Sequence, residues 1–402
     1  MKLKEVTNPI SYQWYTSIQQ ISPHDWMKIY GDTKIKSYEL FVSMQNSNFD
    51  NVNWWYLYIS KNKKALAIIP CFSYVLDLID ILSNTKVKRI VDKVRKLYPD
   101  FLKLKVFVIG SYIATCEDFI GICVNLNNSD YNEIINIIHT QLSLKAKAEK
   151  CRLNIVKDVR GNRIEAAKKA LLNYSFCSTF PTTIIPIDNE LPYPTALKKK
   201  QRKRYRDFVS NFQRSFTWEC IPGFGPYIPL FERLYTDVLS KAKNKFEVLN
   251  GAFFSQINKL MEENIFLLIA KDKAGSIKLM EIVVEENEKL LPLYLGIDYD
   301  GDDTKTLYLN AIFRTVEEAE KRSKKFVEFG QTSYYPKVLS GALVEDVFYG
   351  FYSYHKVINT VIRKALIHIF QPIKMPQNVY QEKYKSSIFD KCKKEGFIVI
   401  NK

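Results

Sequence analysis

The chain has 402 residues, is 47% apolar and is 14% aromatic, which excludes a disordered protein and exceeds what one hydrophobic core usually serves, so two domains are expected. Lys and Arg number 59 against 43 acids, a net charge of +16 that either keeps a Lys-rich surface solvated or marks an anionic partner such as a nucleotide, tRNA or a lipid headgroup. Seven Cys without a CxxC pair and four His without HxxxH or HExxH spacing argue against a metal site and fit reduced thiols.

The opening residues MKLKEVTNPISYQW contain no apolar core of signal-peptide length, and no stretch reaches the apolar length that crosses a bilayer. The expected location is the cytoplasm. Ser22-Pro23-His24-Asp25 resembles a capping box with Pro in the first turn and predicts a helix from about Pro23. Strand formers at 54–59 and 65–72 flank the polar turn 61–64 and predict a β-hairpin. A basic amphipathic helix is expected over 86–98, a buried strand over 104–109 ending at Gly110, and a helix over 131–148. A strand at 153–156, a helix over 163–172 and a strand over 183–187 follow. The polar run Asp188-Asn189-Glu190-Leu191-Pro192 is the expected boundary, giving domains of 1–190 and 191–370 and a tail of 371–402 with Pro372 and Pro376.

Beyond the boundary, helices are predicted over 197–216, 230–240 and 251–261. Strands over 265–270 and 277–284 surround the turn 272–275, and a third strand covers 289–297. A helix over 304–324, strands at 326–329 and 347–354 and a last helix over 357–370 complete the chain. Helix, hairpin, strand, helix, strand thus occurs twice, without a residue-level repeat. The alternation predicts an α/β (α+β) fold in which each domain has a mixed central sheet flanked by helices.

Two segments stand out chemically. Lys198, Lys199, Lys200, Arg202, Lys203, Arg204 and Arg206 place seven cations within nine residues. Tyr205, Phe208, Val209, Phe212 and Phe216 form an apolar stripe on that helix, with Lys199, Lys203, Arg206 and Arg214 opposite. Such a face is either solvated or set against phosphates, and the lack of neighbouring acids favours the anion. The second segment runs from the strand at 326–329 through Gly330 and Gln331 to Lys337-Val338-Leu339-Ser340-Gly341. Loops at strand ends commonly carry function. Lys337 is placed either to hold a carbonyl oxygen or a phosphate or, with Gln331, to cap surface structure.

The helix around Trp26, Ala67-Ile68-Ile69-Pro70 in the hairpin, Gly110-Ser111, and Tyr174-Ser175-Phe176 before Phe180-Pro181-Thr182-Thr183 recur as a familiar set. With the basic helix 197–206 and the Phe329-Gly330 to Gly341 segment, their order resembles the acetyltransferase-like (GNAT-like) proteins with two tandem domains. That group includes the Fem-type peptidyltransferases and related bacterial acetyltransferases. The resemblance extends to about Leu366. It implies two consecutive GNAT-like domains and acyl or aminoacyl transfer to an amine, with acyl-CoA or aminoacyl-tRNA as donor. The sequence departs from simple acetyltransferases in one respect. Residues 295–310 read LGIDYDGDDTKTLYLN, without a Q/R-x-x-G-x-G/A pyrophosphate loop, and Asp300, Asp302 and Asp303 oppose a phosphate there. Their spacing does not fit an EF-hand either.

Amide formation needs an uncharged amine, a polarised acyl carbonyl and a proton acceptor. The catalytic candidates are Glu281 and Asp298 as bases, Tyr294 as donor to the leaving group, and Lys337. Lys199, Lys203, Arg204, Arg206 and Gln331 are the candidates for binding the donor. The expected acceptor is an amine of a small metabolite or natural-product precursor, and no metal or tightly bound cofactor is expected. The competing class is a nucleic-acid-binding protein that has lost its chemistry.

Overall fold

The computed structural model describes residues 9–77, 85–188, 190–241, 247–301, 303–369 and 379–399. Asn189, Asp302, Pro372 and Pro376 lie outside them. The first half runs β1 (Ser11–Tyr15), α1 (Pro23–Tyr30), α2 (Tyr38–Asn46), β2 (Asn53–Lys61), β3 (Lys64–Asp77), α3 (Thr85–Arg95), β4 (Lys103–Ile109), β5 (Gly121–Ile122), α4 (Asn128–Ala148), β6 (Leu153–Arg160), α5 (Ile164–Ala170), β7 (Ser175–Ser178) and β8 (Thr182–Pro186). The second runs α6 (Lys199–Ser215), β9 (Phe216–Pro222), α7 (Ile228–Lys241), α8 (Gly251–Leu260), β10 (Ile265–Asp272), β11 (Ile277–Glu285), β12 (Lys289–Ile297), α9 (Thr304–Lys321), β13 (Phe326–Glu328), α10 (Tyr334–Leu339), β14 (Leu343–Glu345), β15 (Val347–Tyr352), α11 (Lys356–Ile369) and α12 (Glu382–Lys394).

Local chemistry explains several boundaries. Asn62 and Lys63, both at positive φ, make the tight turn of the β2–β3 hairpin, where the strand twist demands such a pair. Helix α1 begins at Pro23, but Ser22 makes no side-chain cap bond; the capping box lies one turn earlier, between Ser17 and Gln20. The expected tail contains α12, which buries Ile388, Phe389 and Cys392 against Ile184 and Leu197. Among the described residues, no helix is long and apolar enough to cross a membrane.

The strands form two sheets with the same plan. The first has the order β1-β2-β3-β4-β6-β15-β7, with β5 beside β3, and the second β9-β10-β11-β12-β13-β8-β14. In each, the first four strands are antiparallel neighbours and one parallel pair follows, β4 with β6 and β12 with β13. The repeated element order is thus repeated in strand order. The sheets also exchange strands. β8, from before the polar segment at 188–192, pairs with β13, and β15, from the far end of the chain, pairs with β6.

Apolar patterning sets the layers. One core joins the inner faces of both sheets through α1, α2, α7 and α8, with Trp26, Phe41, Phe231, Phe253 and Phe254 fully buried. A second core packs α4 and α5 on the outer face of the first sheet, through Ile134, Ile138 and Leu142. A third packs α9 and the apolar stripe of α6 on the outer face of the second, through Leu309, Phe313, Tyr205 and Phe208. The inner core crosses between the halves and joins them.

Candidate active site

Strands β12 and β13 pair only at Lys289–Phe326 and Leu290–Val327, then part. The β11–β12 ladder shifts register at the same place, with Ile282 opposite Tyr294 and Val283 opposite Pro292, so Leu293 lies outside the ladder. A bulge beside a diverging parallel pair opens a gap in the sheet and frees main-chain groups to face it. That gap is a cavity of about 230 Å³. Pro292 and Tyr294 line one wall, Phe329 and Gln331 the other, and Ala114 and Cys116 of the first half close it.

The polar groups of the cleft converge. The Tyr294 hydroxyl donates to Glu247 Oε1 at 3.2 Å, and the Ala114 amide donates to Glu247 Oε2 at 2.6 Å. Burial pushes the Glu247 carboxyl above its ordinary range, opposed by the nearby Lys157 charge. Burial also drives the Tyr294 hydroxyl well above its usual value, so it holds its proton. Gln331 Nε2 donates to Asp158 Oδ1 at 3.1 Å and to Phe180 O at 3.0 Å. Asp158 is fully buried, has φ +61° and sits where the β6–β15 register slips. Its Oδ2 has Lys157 Nζ at 3.6 Å and no hydrogen-bond partner.

The loop that carries Gln331 is strained and stapled. Gly330, Thr332 and Ser333 have φ of +63°, +68° and +48°, a region that costs a non-glycine residue on the order of 1 kcal/mol. The Lys337 ammonium spends its donors on that loop, at 2.8 Å from Phe329 O, 3.2 Å from Gln331 O and 3.0 Å from Thr332 O. Behind the cleft lies a buried ionic knot. Arg160 bonds Glu117 at 3.0 Å, Glu328 at 2.5 Å and Glu345 at 2.7 Å, while Lys289 bonds Glu328 at 3.0 Å and Lys36 bonds Glu117 at 3.1 Å. The Arg160 charge holds the Glu117 and Glu328 carboxyls below their usual range against the opposing pull of burial. Arg160 belongs to the first sheet and Glu328 and Glu345 to the second, so the knot ties the sheets beside the cleft.

FemX superposes with a TM-score of 0.53 at 11% identity, covering 88% of this chain and 100% of that one. L-PGS from Bacillus licheniformis superposes with a TM-score of 0.50 at 9% identity, covering 92% and 100%. The chain shares its overall fold with FemX and L-PGS. No family model matches the sequence. Proteins from two strains of Mycobacterium tuberculosis, under the provisional name 8-amino-7-oxononanoate synthase 2, are 24% identical over 169 residues. That match covers 41% of this chain and spans 22% of the length of those relatives.

The residues singled out from sequence separate into groups. Tyr294 and Gln331 line the cleft. Lys337 stands behind it as the loop staple, its ammonium lowered to about 8 by burial. Glu281 is buried beneath α9, where it accepts from Thr315 Oγ1 at 2.6 Å, and burial pushes it up to about 7. Asp298 is paired with Lys278 at 2.8 Å in a separate, acid-lined hollow with Asp300 and Asp303 at the start of α9. Lys199, Lys203 and Arg206 lie exposed on α6, with Lys203 bonded to Asp207 at 2.6 Å; Arg204 is half-buried in a groove against α9. Sequence reasoning missed Glu247, Asp158 and Arg160. Glu247 stands alone among residues without a periodic pattern. Lys157-Asp158 carried a usable signal, two charges inside the otherwise apolar part of β6.

Proposed function

We propose that the protein is an acyltransferase that forms an amide bond in the cleft between β12 and β13. The observation that carries this reading is the Glu247–Tyr294 pair at the point where the strands part, beside the unladdered Leu293. An acyl carbonyl entering the gap meets the main chain at the bulge, which polarises it without reorganisation. The acceptor amine attacks the carbonyl and loses a proton to Glu247, whose affinity for protons is raised by burial. The addition intermediate then collapses: the bond to the leaving group breaks, and Tyr294 protonates that group as it departs. The proton held by Glu247 passes to Tyr294 and restores both. Gln331 and Lys337 serve as positioning residues, one bridging to Asp158 and the other fixing the strained loop.

The acceptor is an amine of a small metabolite, taken up from the side of the first half, where Ala114 and Cys116 border the cleft. For the donor, acyl-CoA is one reading and aminoacyl-tRNA the other. The acids at the start of α9 remove the usual seat of a pyrophosphate. The cations of α6, from Lys199 to Arg214, stretch along about 22 Å of helix, which favours the RNA donor. The test is amide formation from acetyl-CoA or from charged tRNA with a panel of amines. An RNA user loses affinity steeply with salt, with a slope set by the phosphates it contacts, whereas a CoA user gains thermal stability from acetyl-CoA. Binding of neither donor would sink the reading.

A further inference from the structure

Helix α3 is an addition to the plan that the two sheets share. By strand order β3 and β4 correspond to β11 and β12. Residues 286–288 suffice to join β11 to β12, whereas residues 78–102, with α3 among them, join β3 to β4. The helix is fixed at the end of that hairpin. Arg95 donates to the two carboxylate oxygens of Asp77 at 2.8 and 2.7 Å and, from Nε, to Phe101 O at 2.9 Å, and Val91 is buried. The side away from Val91 carries two stripes. Ile90, Val94 and Leu97 follow i, i+4, i+7 spacing, and Arg89, Lys93 and Lys96 follow the same spacing one position earlier. The amides of Leu97 and Tyr98 donate to Val94 O, which carries the helical turn past Arg95. Leu97 exposes 80% of its surface and Tyr98 69%, and Ile90 and Phe101 are exposed too. Arg89, Lys93 and Lys96 are exposed, and among the described residues none of the three is in an ion pair. Residues 85–103 hold seven cations against two acids, Asp92 and Asp100, and Asp100 is paired with Lys103 at 3.6 Å. Large apolar side chains held in water beside unpaired cations call for a partner that is apolar within and anionic at its rim.

We propose that α3 and the turn to Phe101 dock on an anionic lipid surface and lie in its plane. Ile90 and Leu97 enter the acyl boundary, Tyr98 sits at headgroup level, and Arg89, Lys93 and Lys96 reach the headgroup phosphates along their aliphatic stems. RNA would meet the cations but leave the aliphatic Ile90 and Leu97 in water, so the lipid fits this face better. A helix docked in this way lies on a bilayer and has no need to cross it.

Flotation of the full chain with vesicles of phosphatidylcholine, or of equimolar phosphatidylcholine and phosphatidylglycerol, tests the assignment. The wild type is compared with an apolar variant, Leu97→Ser/Tyr98→Ser, and a charge variant, Arg89→Gln/Lys93→Gln/Lys96→Gln. Leu144→Ser, which removes an exposed leucine of α4, is the control. Every substituted side chain is exposed, so folding is preserved, which an unchanged melting temperature checks. The wild type and the control should float with the mixed vesicles and bind phosphatidylcholine alone at least about tenfold more weakly. The apolar variant should lose about tenfold in affinity for the mixed vesicles and the charge variant about a hundredfold. A wild type that does not float with the mixed vesicles, or binds phosphatidylcholine alone as tightly, overturns the proposal. So does an apolar variant that floats as the wild type does, since the net charge of +16 would then act without α3. Bulk tRNA that binds the wild type but not the charge variant, with no protein floating, would make α3 an RNA surface instead.

Discussion

Gln331 donates its side-chain amide to Asp158 at 3.1 Å, joining the loop after β13 of one sheet to the bulge in β6 of the other. Asp158 Oδ1 also accepts from the Tyr349 hydroxyl at 3.3 Å, so a fully buried carboxylate depends on neutral donors and on Lys157. Gln331→Ala removes one donor and should lower the unfolding free energy by about 1–3 kcal/mol. Gln331→Glu faces the carboxylate with a like charge and should cost more. Urea denaturation checks the order, and equal losses for the two variants would contradict it.

Lys337 holds three carbonyls of a loop with three residues at positive φ. Lys337→Met leaves the carbonyls unpaired and should destabilise by about 2–4 kcal/mol. Lys337→Arg should not restore the loop, because a planar fork cannot point at three acceptors clustered around one nitrogen. With turnover assayed, a positioning role raises KM more than it lowers kcat; the reverse pattern would place the ammonium on the reacting carbonyl.

Glu281 is pushed up to about 7 by burial, from an ordinary value near 4.5. Between those values the folded state holds a proton that the unfolded state has released. Stability from this group is therefore full below about 4.5 and falls as pH rises through 7, by up to about 3 kcal/mol. Glu281→Gln should remove that fall, so the variant gains on the wild type as pH rises from 5 to 7.5 in matched denaturation curves. Parallel curves would show that the carboxyl is ionised in the fold.

Arg160 neutralises Glu117, Glu328 and Glu345 at the junction of the sheets. Arg160→Met strands the buried Glu345, leaves Glu328 to Lys289 and Glu117 to Lys36, and should cost about 3–5 kcal/mol. Adding Glu328→Gln and Glu345→Gln should recover part of the loss. The depressed Glu117 and Glu328 contribute stability above their unfolded values that is lost as pH falls below about 4.5. Wild type should therefore lose stability into acid more steeply than the triple variant, as thermal melts from pH 6 to 3 would record.

Much of the fold was legible because it is written locally. The hairpin at 53–77 announces itself through alternating strand formers around a polar turn, and α9 through its helical spacing. The repeated element order foretold the repeated strand order. The exchange of β8 and β15 was not legible, since pairing between distant strands leaves no local pattern and each reads as a strand wherever it joins. For the same reason α12 read as a tail: its apolar residues are few and pack against Leu197 from the other side of the second half. Tyr294 and Gln331, singled out for their places on a strand and at a strand end, line the cleft. Glu281 attracted attention as an acid on a strand, but the strand's face decides its role, and that face turns to α9 and Thr315. Glu247 meets the cleft only through tertiary structure, which no spacing in the sequence encodes.

The account stands on Glu247 as the group that takes the proton from the amine. The most direct test is single-turnover amide formation by the wild type, Glu247→Gln and Tyr294→Phe, with the donor that binds, between pH 5 and 9. Glu247→Gln should slow the chemical step by about 10²–10⁴-fold and abolish the lower limb of the pH profile, with donor binding intact. Tyr294→Phe should be slowed less and keep that limb. A Glu247→Gln enzyme that turns over at the wild-type rate with the same profile would contradict the account.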